Sequence, residues 1–302
     1  MIYDLPEVVK HALCLLFAND LKLLLEIKNG ADSKLLQEDI QRVVEWSQKN
    51  KLYSNVNKCS MMTFTRAKTP AYYEYTVESV PMKRAAQIRD LGVIMTSDLT
   101  FREHIIKVCK KAYRNLGFIL RQTQGFNRIS TLKVHYDALV RSHLEHSAVI
   151  WAPHETKYSV MLERVQNKFT RHLYFKLYGV YPFYPLMYPT LFVLGMVGYS
   201  ELRVRREFTL AAYVVKLLRG MVHNPRVLRH LQLCVPDRVW RRHRPPLLAV
   251  PVARTNLLAK TPLTRAICTV NEVHSRIEIF SCNTSELVRI LLNISAYNNT
   301  LQ

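Results

Sequence analysis

The chain has 302 residues, with 43 Lys+Arg against 23 Asp+Glu for a formal charge of +20, and 49% of it is hydrophobic. That balance excludes a disordered chain, and 8 Gly with 13 Pro exclude collagen-like or linker-dominated ones. The length suits about two domains of roughly 150 residues each. Cut at residue 150, the two parts carry 22 basic against 15 acidic and 21 against 8, so the surplus reads as spread over the whole chain and heavier toward the C-terminal side. Such a surplus favours a polyanionic partner, phosphate backbones first and anionic membrane surfaces second.

Six cysteines, at 14, 59, 109, 234, 268 and 282, are never closer than 14 residues, so there is no Cys-x-x-Cys pair for zinc. They read as reduced thiols of an intracellular protein. The opening Met1 to Glu7 holds Asp4 and Glu7 where a secretory signal needs a basic region, which predicts a nuclear or cytoplasmic protein that is not secreted. Leu177 to Ser200 is uncharged over 24 positions, but Pro182, Pro185 and Pro189 break its first half and five tyrosines supply hydroxyls unsuited to hydrocarbon. The expectation is a buried loop and then a short core helix from Thr190, with no membrane partner.

In chain order, two apolar runs across 12–26 surround Ala18-Asn19-Asp20, predicting a β-hairpin with Asn19 and Asp20 at its tip. Leu36, Ile40, Val43, Val44 and Ser47 then recur at helical spacing behind a cap at Asp32 or Ser33, ending at Asn50. Lys58 to Arg66, Tyr72 to Glu78 and Leu91 to Met95 read as strands.

From residue 101 the pattern turns helical. Phe101, Ile105, Val108, Cys109, Ala112, Leu116 and Ile119 make one apolar stripe, and at 100° per residue Lys107, Lys110, Lys111, Arg114 and Arg121 fall on the opposite face. Leu132, Tyr136, Leu139, Leu144, Ser147, Ala148 and Trp151 suggest a second helix. Leu162, Val165, Phe169 and Leu173 suggest a third, with Arg164, Lys168 and Arg171 on its exposed side. A further helix is predicted over 201–221, and Arg238 to Pro251 reads as a Pro/Arg-rich linker containing Arg241, Arg242 and Arg244.

Phe17-Ala18-Asn19-Asp20, flanked by Leu15-Leu16 and Leu21-Lys22-Leu23, resembles the aromatic-Ala-Asp-Asp hairpin of reverse transcriptases. Other stretches resemble one family, the reverse transcriptases of non-LTR (LINE, jockey-like) retrotransposons, in the same order. Asp4-Leu5-Pro6 precedes the hairpin; Trp46, Asn50, Lys58-Cys59, Phe64, Arg66 and Asp90-Leu91-Gly92-Val93 follow it. Then come Leu99 to Ile105, Lys111-Ala112, Leu116 to Ile119, Arg121, Leu139-Val140-Arg141, Leu144-Glu145, Trp151-Ala152-Pro153 and Glu163 to Phe169. Weaker agreement runs through Tyr199 to Arg206 and Thr261 to Asn271.

The resemblance implies an α+β fold: a small antiparallel sheet from a truncated polymerase palm over 1–99, a helical thumb bundle over 100–179, and a mostly helical region over 180–302 with the basic linker at 238–251. It implies Mg²⁺ as cofactor, an RNA/DNA template-primer duplex as partner and Leu91-Gly92 as part of a primer grip. Polymerases of this kind hold two metal ions with aspartates from two palm motifs.

Two departures bear on activity. Asn19 stands where the first hairpin aspartate belongs, leaving Asp20 as the one carboxylate, and the other metal-binding aspartate is expected ahead of residue 1. The function implied is the C-terminal part of an RNA-directed DNA polymerase, inactive alone but able to hold duplex through Lys107, Lys110, Lys111, Arg114 and Arg121. The alternatives are a sequence-independent nucleic-acid-binding helical module and a partner-dependent polymerase subunit. His143 and His146 stand three apart with no third ligand nearby and read as packing residues.

Overall fold

Asn29 opens the longest helix of the N-terminal part, accepting from the Ala31 and Asp32 amides at 2.8 and 3.1 Å while the Asp32 carboxylate accepts from Asn29 N in return. The molecule is a computed structural model that describes residues 4–65, 67, 72–181, 190–196, 198–235, 244–252 and 255–281, with residues 283, 286 and 289. It divides into two compact units, 1–100 and 101–302.

The first unit holds α1 (Leu5–Val8), β1 (Leu13–Phe17), β2 (Asp20–Leu24), α2 (Gly30–Lys49), β3 (Ser60–Met61), β4 (Thr76–Val77), β5 (Val80–Pro81), β6 (Lys83–Arg84), β7 (Gln87–Asp90) and β8 (Val93–Thr96). β1 and β2 form the expected hairpin, but Phe17 pairs with Asp20, so the two-residue turn is Ala18-Asn19 and Asp20 begins the return strand. Ala18 takes a left-handed φ of 50° to close it. The α2 cap is Asn29 rather than Asp32 or Ser33, because Asp32 serves as the reciprocal partner one turn in.

α2 organises the unit through two side chains. Asp39, fully buried, accepts from the Lys10, His11 and Ala12 amides at 2.9, 2.8 and 2.7 Å and from Arg42 at 2.6 Å. Burial disfavours its charge, but these donors outweigh it and hold the carboxyl below the usual range. Gln37 bonds the main chain of Thr76 both ways, each at 2.9 Å, and so fixes β4. The strands form four separate two-stranded ladders, three antiparallel and one parallel (β3 with β6), instead of one small sheet. Of the strands expected over 58–66 and 72–78 only Ser60–Met61 and Thr76–Val77 pair; Arg66 lies outside the described residues. Leu91 and Gly92, at φ 44° and 90°, form the turn between β7 and β8, which moves the strand start to Val93.

The second unit contains α3 (Arg102–Gln122), α4 (Ile129–Tyr136), α5 (Ser142–Glu145), α6 (Ala148–Trp151), α7 (Thr156–Tyr178), α8 (Thr190–Met196), α9 (Leu202–Leu218), α10 (Pro225–Leu228), α11 (Asn256–Ala259) and α12 (Pro262–His274). The stripe of α3 is buried at Ile105, Cys109, Ala112, Leu116 and Ile119. The second expected helix is broken into three. A π-helical turn over Asp137–Arg141 joins α4 to α5, and Ser147, at φ 54°, separates α5 from α6. The wide turn cancels the drift of a four-residue spacing, so Leu132, Tyr136, Val140 and Leu144 are all fully buried, whereas Leu139 is turned outward, 39% exposed. Phe169 stacks on Tyr136 with ring centroids 4.0 Å apart.

Beyond α7 the chain returns onto the same helices. Glu163 accepts the Leu202 amide at 3.1 Å and the Arg203 amide at 2.6 Å, satisfying free N–H groups of the first turn of α9. Gln166 Nε2 donates to Ser200 O at 3.0 Å, and Tyr199 donates to Asp137. Arg265 of α12 donates to Ala152 O at 2.9 Å. Residues 101–302 form one compact unit, in which these bonds join residues on the two sides of the expected 179/180 boundary. The basic linker expected over 238–251 is partly integral to this core. Leu248 is fully buried, and its main chain bonds the Asn271 side chain both ways at 2.9 and 2.7 Å. Arg241 and Arg242 lie outside the described residues.

Candidate nucleic-acid interface

Lys107, Lys110, Lys111, Arg114 and Arg121 are all exposed on α3, diametrically opposite the buried stripe. None of the five forms a salt bridge among the described residues, although Arg102 at the start of the same helix pairs with Glu155 at 3.5 Å. Five cations left uncompensated along one face raise the local potential and draw in anionic counterions.

The unit boundary relocates the charge. Residues 1–100 carry 13 Lys+Arg against 12 Asp+Glu, and residues 101–302 carry 30 against 11. The surplus is thus +1 in the first unit and +19 in the second, not spread over the chain as the division at residue 150 suggests.

α7 adds to the cationic helix. Arg164 and Lys168 are exposed and Arg171 half-buried. Lys168 Nζ lies 5.7 Å from the centroid of the Tyr113 ring of α3, so the α7 cations run beside the flank of α3. On the other flank, burial, Lys111 and His146 together lower the affinity of His143 for a proton. Cys109 is enclosed in the helix core, where burial pushes its thiol up to about 11 and makes it a packing group.

In the first unit the resemblance-derived positions lie on two separate hairpins joined by an ion pair. Asn19 sits in the β1–β2 turn and Asp20 opens β2, both exposed. Lys22, on the same face of β2 as Asp20, pairs with Asp90, which flanks the Leu91-Gly92 turn. Leu91 is 46% exposed. The donors at the hairpin end are one carboxylate and one neutral amide, one anionic oxygen ligand fewer than a pair of aspartates would offer a hard ion such as Mg²⁺. Among the described residues no group of three His, Cys, Asp or Glu is placed to hold a metal ion. No helix there is long and apolar enough to cross a membrane.

Two further stretches behind the resemblance, Glu163–Phe169 and Tyr199–Arg206, are held together in the second unit through Glu163, Gln166 and the main chain of residues 200–203. Sequence reasoning missed the role of Asp39 and of the basic side chains Lys168 and Arg171 beside Leu120; the latter depends on how α3 packs on α7. Comparison with family models, curated proteins and solved structures finds no match to this chain.

Proposed function

We propose that this chain is the C-terminal part of a non-LTR retrotransposon reverse transcriptase that does not polymerise by itself and holds nucleic-acid duplex through the cationic face of α3. The observation that carries duplex holding is the set of five exposed α3 cations that form no salt bridge among the described residues, in a unit whose formal charge is +19. Phosphates are the chemistry such a face selects, and they offer no base identity, so binding is sequence-independent. The order of the resembling motifs supports the ancestry, and so does the pairing of Lys22 with Asp90, which links the metal-motif hairpin to the primer-grip turn.

Loss of polymerase activity follows from the metal ligands on offer, because Asn19 and Asp20 supply one carboxylate of a single motif. In a working site one ion activates the primer hydroxyl and both stabilise the phosphoryl transition state, which takes carboxylates from two motifs.

The second reading, a nucleic-acid-binding helical module, is favoured by the charge division: binding would need only residues 101–302. A duplex-binding titration of the full chain at several salt concentrations, repeated with three α3 cations replaced by Gln, tests both. A salt dependence that does not change removes α3 from the interface.

A further inference from the structure

On the flank where α3 packs against α7, Leu120, Lys168, Arg171, His172 and Tyr181 line a cleft of about 160 Å³. Its composition is unlike that of a core void. Three of the five side chains carry N–H donors, none of the lining residues is acidic, and Leu120 with the Tyr181 ring supplies the apolar wall. Tyr181 is positioned by stacking on Phe175, centroids 4.3 Å apart and planes within 8°. His172 is nine-tenths buried, yet its Nε2 has no hydrogen-bond partner among the described residues. A buried polar atom left so costs free energy that a ligand can return.

We infer that this cleft is a site for a single phosphate group, held by Lys168, Arg171 and His172. The volume accommodates one tetrahedral oxyanion with part of an attached sugar and does not accommodate a stacked base pair. Lys168 and Arg171 provide charge-assisted donors, and Arg offers the fork that matches two phosphate oxygens. Such a site differs from the diffuse α3 face: it is discrete, saturable, and formed by α7 side chains in which Arg171 and His172 follow Lys168 by three and four residues. The same chemistry is offered by a backbone phosphodiester, a terminal phosphate monoester or free phosphate.

The test uses the full chain with the histidine rings labelled at Cε1 and observed by NMR, with inorganic phosphate as the first probe. The His172 signal is assigned by its disappearance in His172→Gln. The expected result is a saturable shift of that signal, with Lys168→Gln, on the exposed side of α7, weakening phosphate about tenfold, the effect of removing one charged donor. Duplexes with and without a 5′-phosphate then separate the sources: equal shifts mean a backbone phosphate, a shift with the phosphorylated duplex alone means a terminal one, and a shift with neither duplex means free phosphate. A His172 signal unmoved by phosphate, or an Lys168→Gln variant that keeps its circular dichroism and binds phosphate as before, overturns the site. Neither result touches the salt dependence of duplex binding set by α3, so the two claims fail separately.

Discussion

Arg206, 3% exposed on α9, has its Nη2 3.6 Å from Oε1 of Glu163 on α7 and 3.3 Å from Ser159 Oγ. Glu163 thus has two tasks: it faces a buried guanidinium and accepts two main-chain amides of α9. Removing it strands both. Glu163→Ala is expected to cost about 3–5 kcal/mol, the usual penalty for leaving a buried charge unpaired. Glu163→Gln, which keeps an acceptor for the amides, should cost less, and adding Arg206→Met should recover part of that loss. Urea unfolding of the full chain checks the order; a Gln variant as unstable as the Ala variant would show that the charge, not the cap, dominates.

Asp39 gives the first unit an acid limit. Its folded carboxyl is held below the usual value of 3.8 by amide donors and Arg42 acting against burial. A depressed carboxyl contributes stability that is present above the unfolded value and is lost as pH falls through the folded one. Asp39→Asn should therefore flatten the acid limb below about pH 4 and lower stability by about 2–4 kcal/mol at neutral pH, since an amide cannot serve three N–H donors equally. Acid titration followed by Trp46 fluorescence measures it, because Trp46 on the same helix donates to Asp4 at 3.0 Å.

The return of residues 199–206 and 265 onto the earlier helices bears on truncation. A fragment of residues 100–179 loses Tyr199 from Asp137, Ser200 from Gln166, Arg265 from Ala152 and the buried face of α9, where Leu202, Leu210, Ala211 and Val214 are 0–2% exposed. We expect it to melt less cooperatively, and at lower temperature, than a fragment of residues 101–281. Circular dichroism melts of the two compare them directly, and equal melts would mean that residues 100–179 form a domain of their own.

The helical stripe of α3 was legible because five buried positions at period 3.6 outvote local exceptions. The hairpin was legible as well, but its tip was misplaced by one residue, since only the Phe17–Asp20 pairing decides which two residues turn. Leu139 read as core because a regular helix was assumed; the π-helical turn hands its place to Val140. Leu248 read as linker because Pro and Arg surround it, while its burial depends on Asn271, 23 residues on. The charge asymmetry was hidden by dividing the chain at 150 instead of at 100. The Lys168–His172 cleft requires the packing of two helices about 50 residues apart in sequence, which no local pattern encodes.

With Mg²⁺ or Mn²⁺ the full chain is expected not to extend a primer on an RNA template, and Asn19→Asp is expected not to restore extension. The substitution adds a second carboxylate at the same hairpin end, whereas the chemistry takes carboxylates from two motifs. A primer-extension assay against a no-enzyme control decides it: template-dependent product from the variant would show that the hairpin alone assembles a working site.

The central claim is tested most directly by the salt dependence of duplex affinity. For B-form DNA the log–log slope is about −0.9 per phosphate neutralised, so Lys107→Gln, Lys110→Gln and Arg114→Gln together should make the slope shallower by about two to three units. These side chains are exposed and opposite the buried stripe, so circular dichroism should be unchanged. A shallower slope by that amount, equal across unrelated duplex sequences, is the predicted result. An unchanged slope in a well-folded triple variant would contradict the account and reduce the cationic face of α3 to solvated surface.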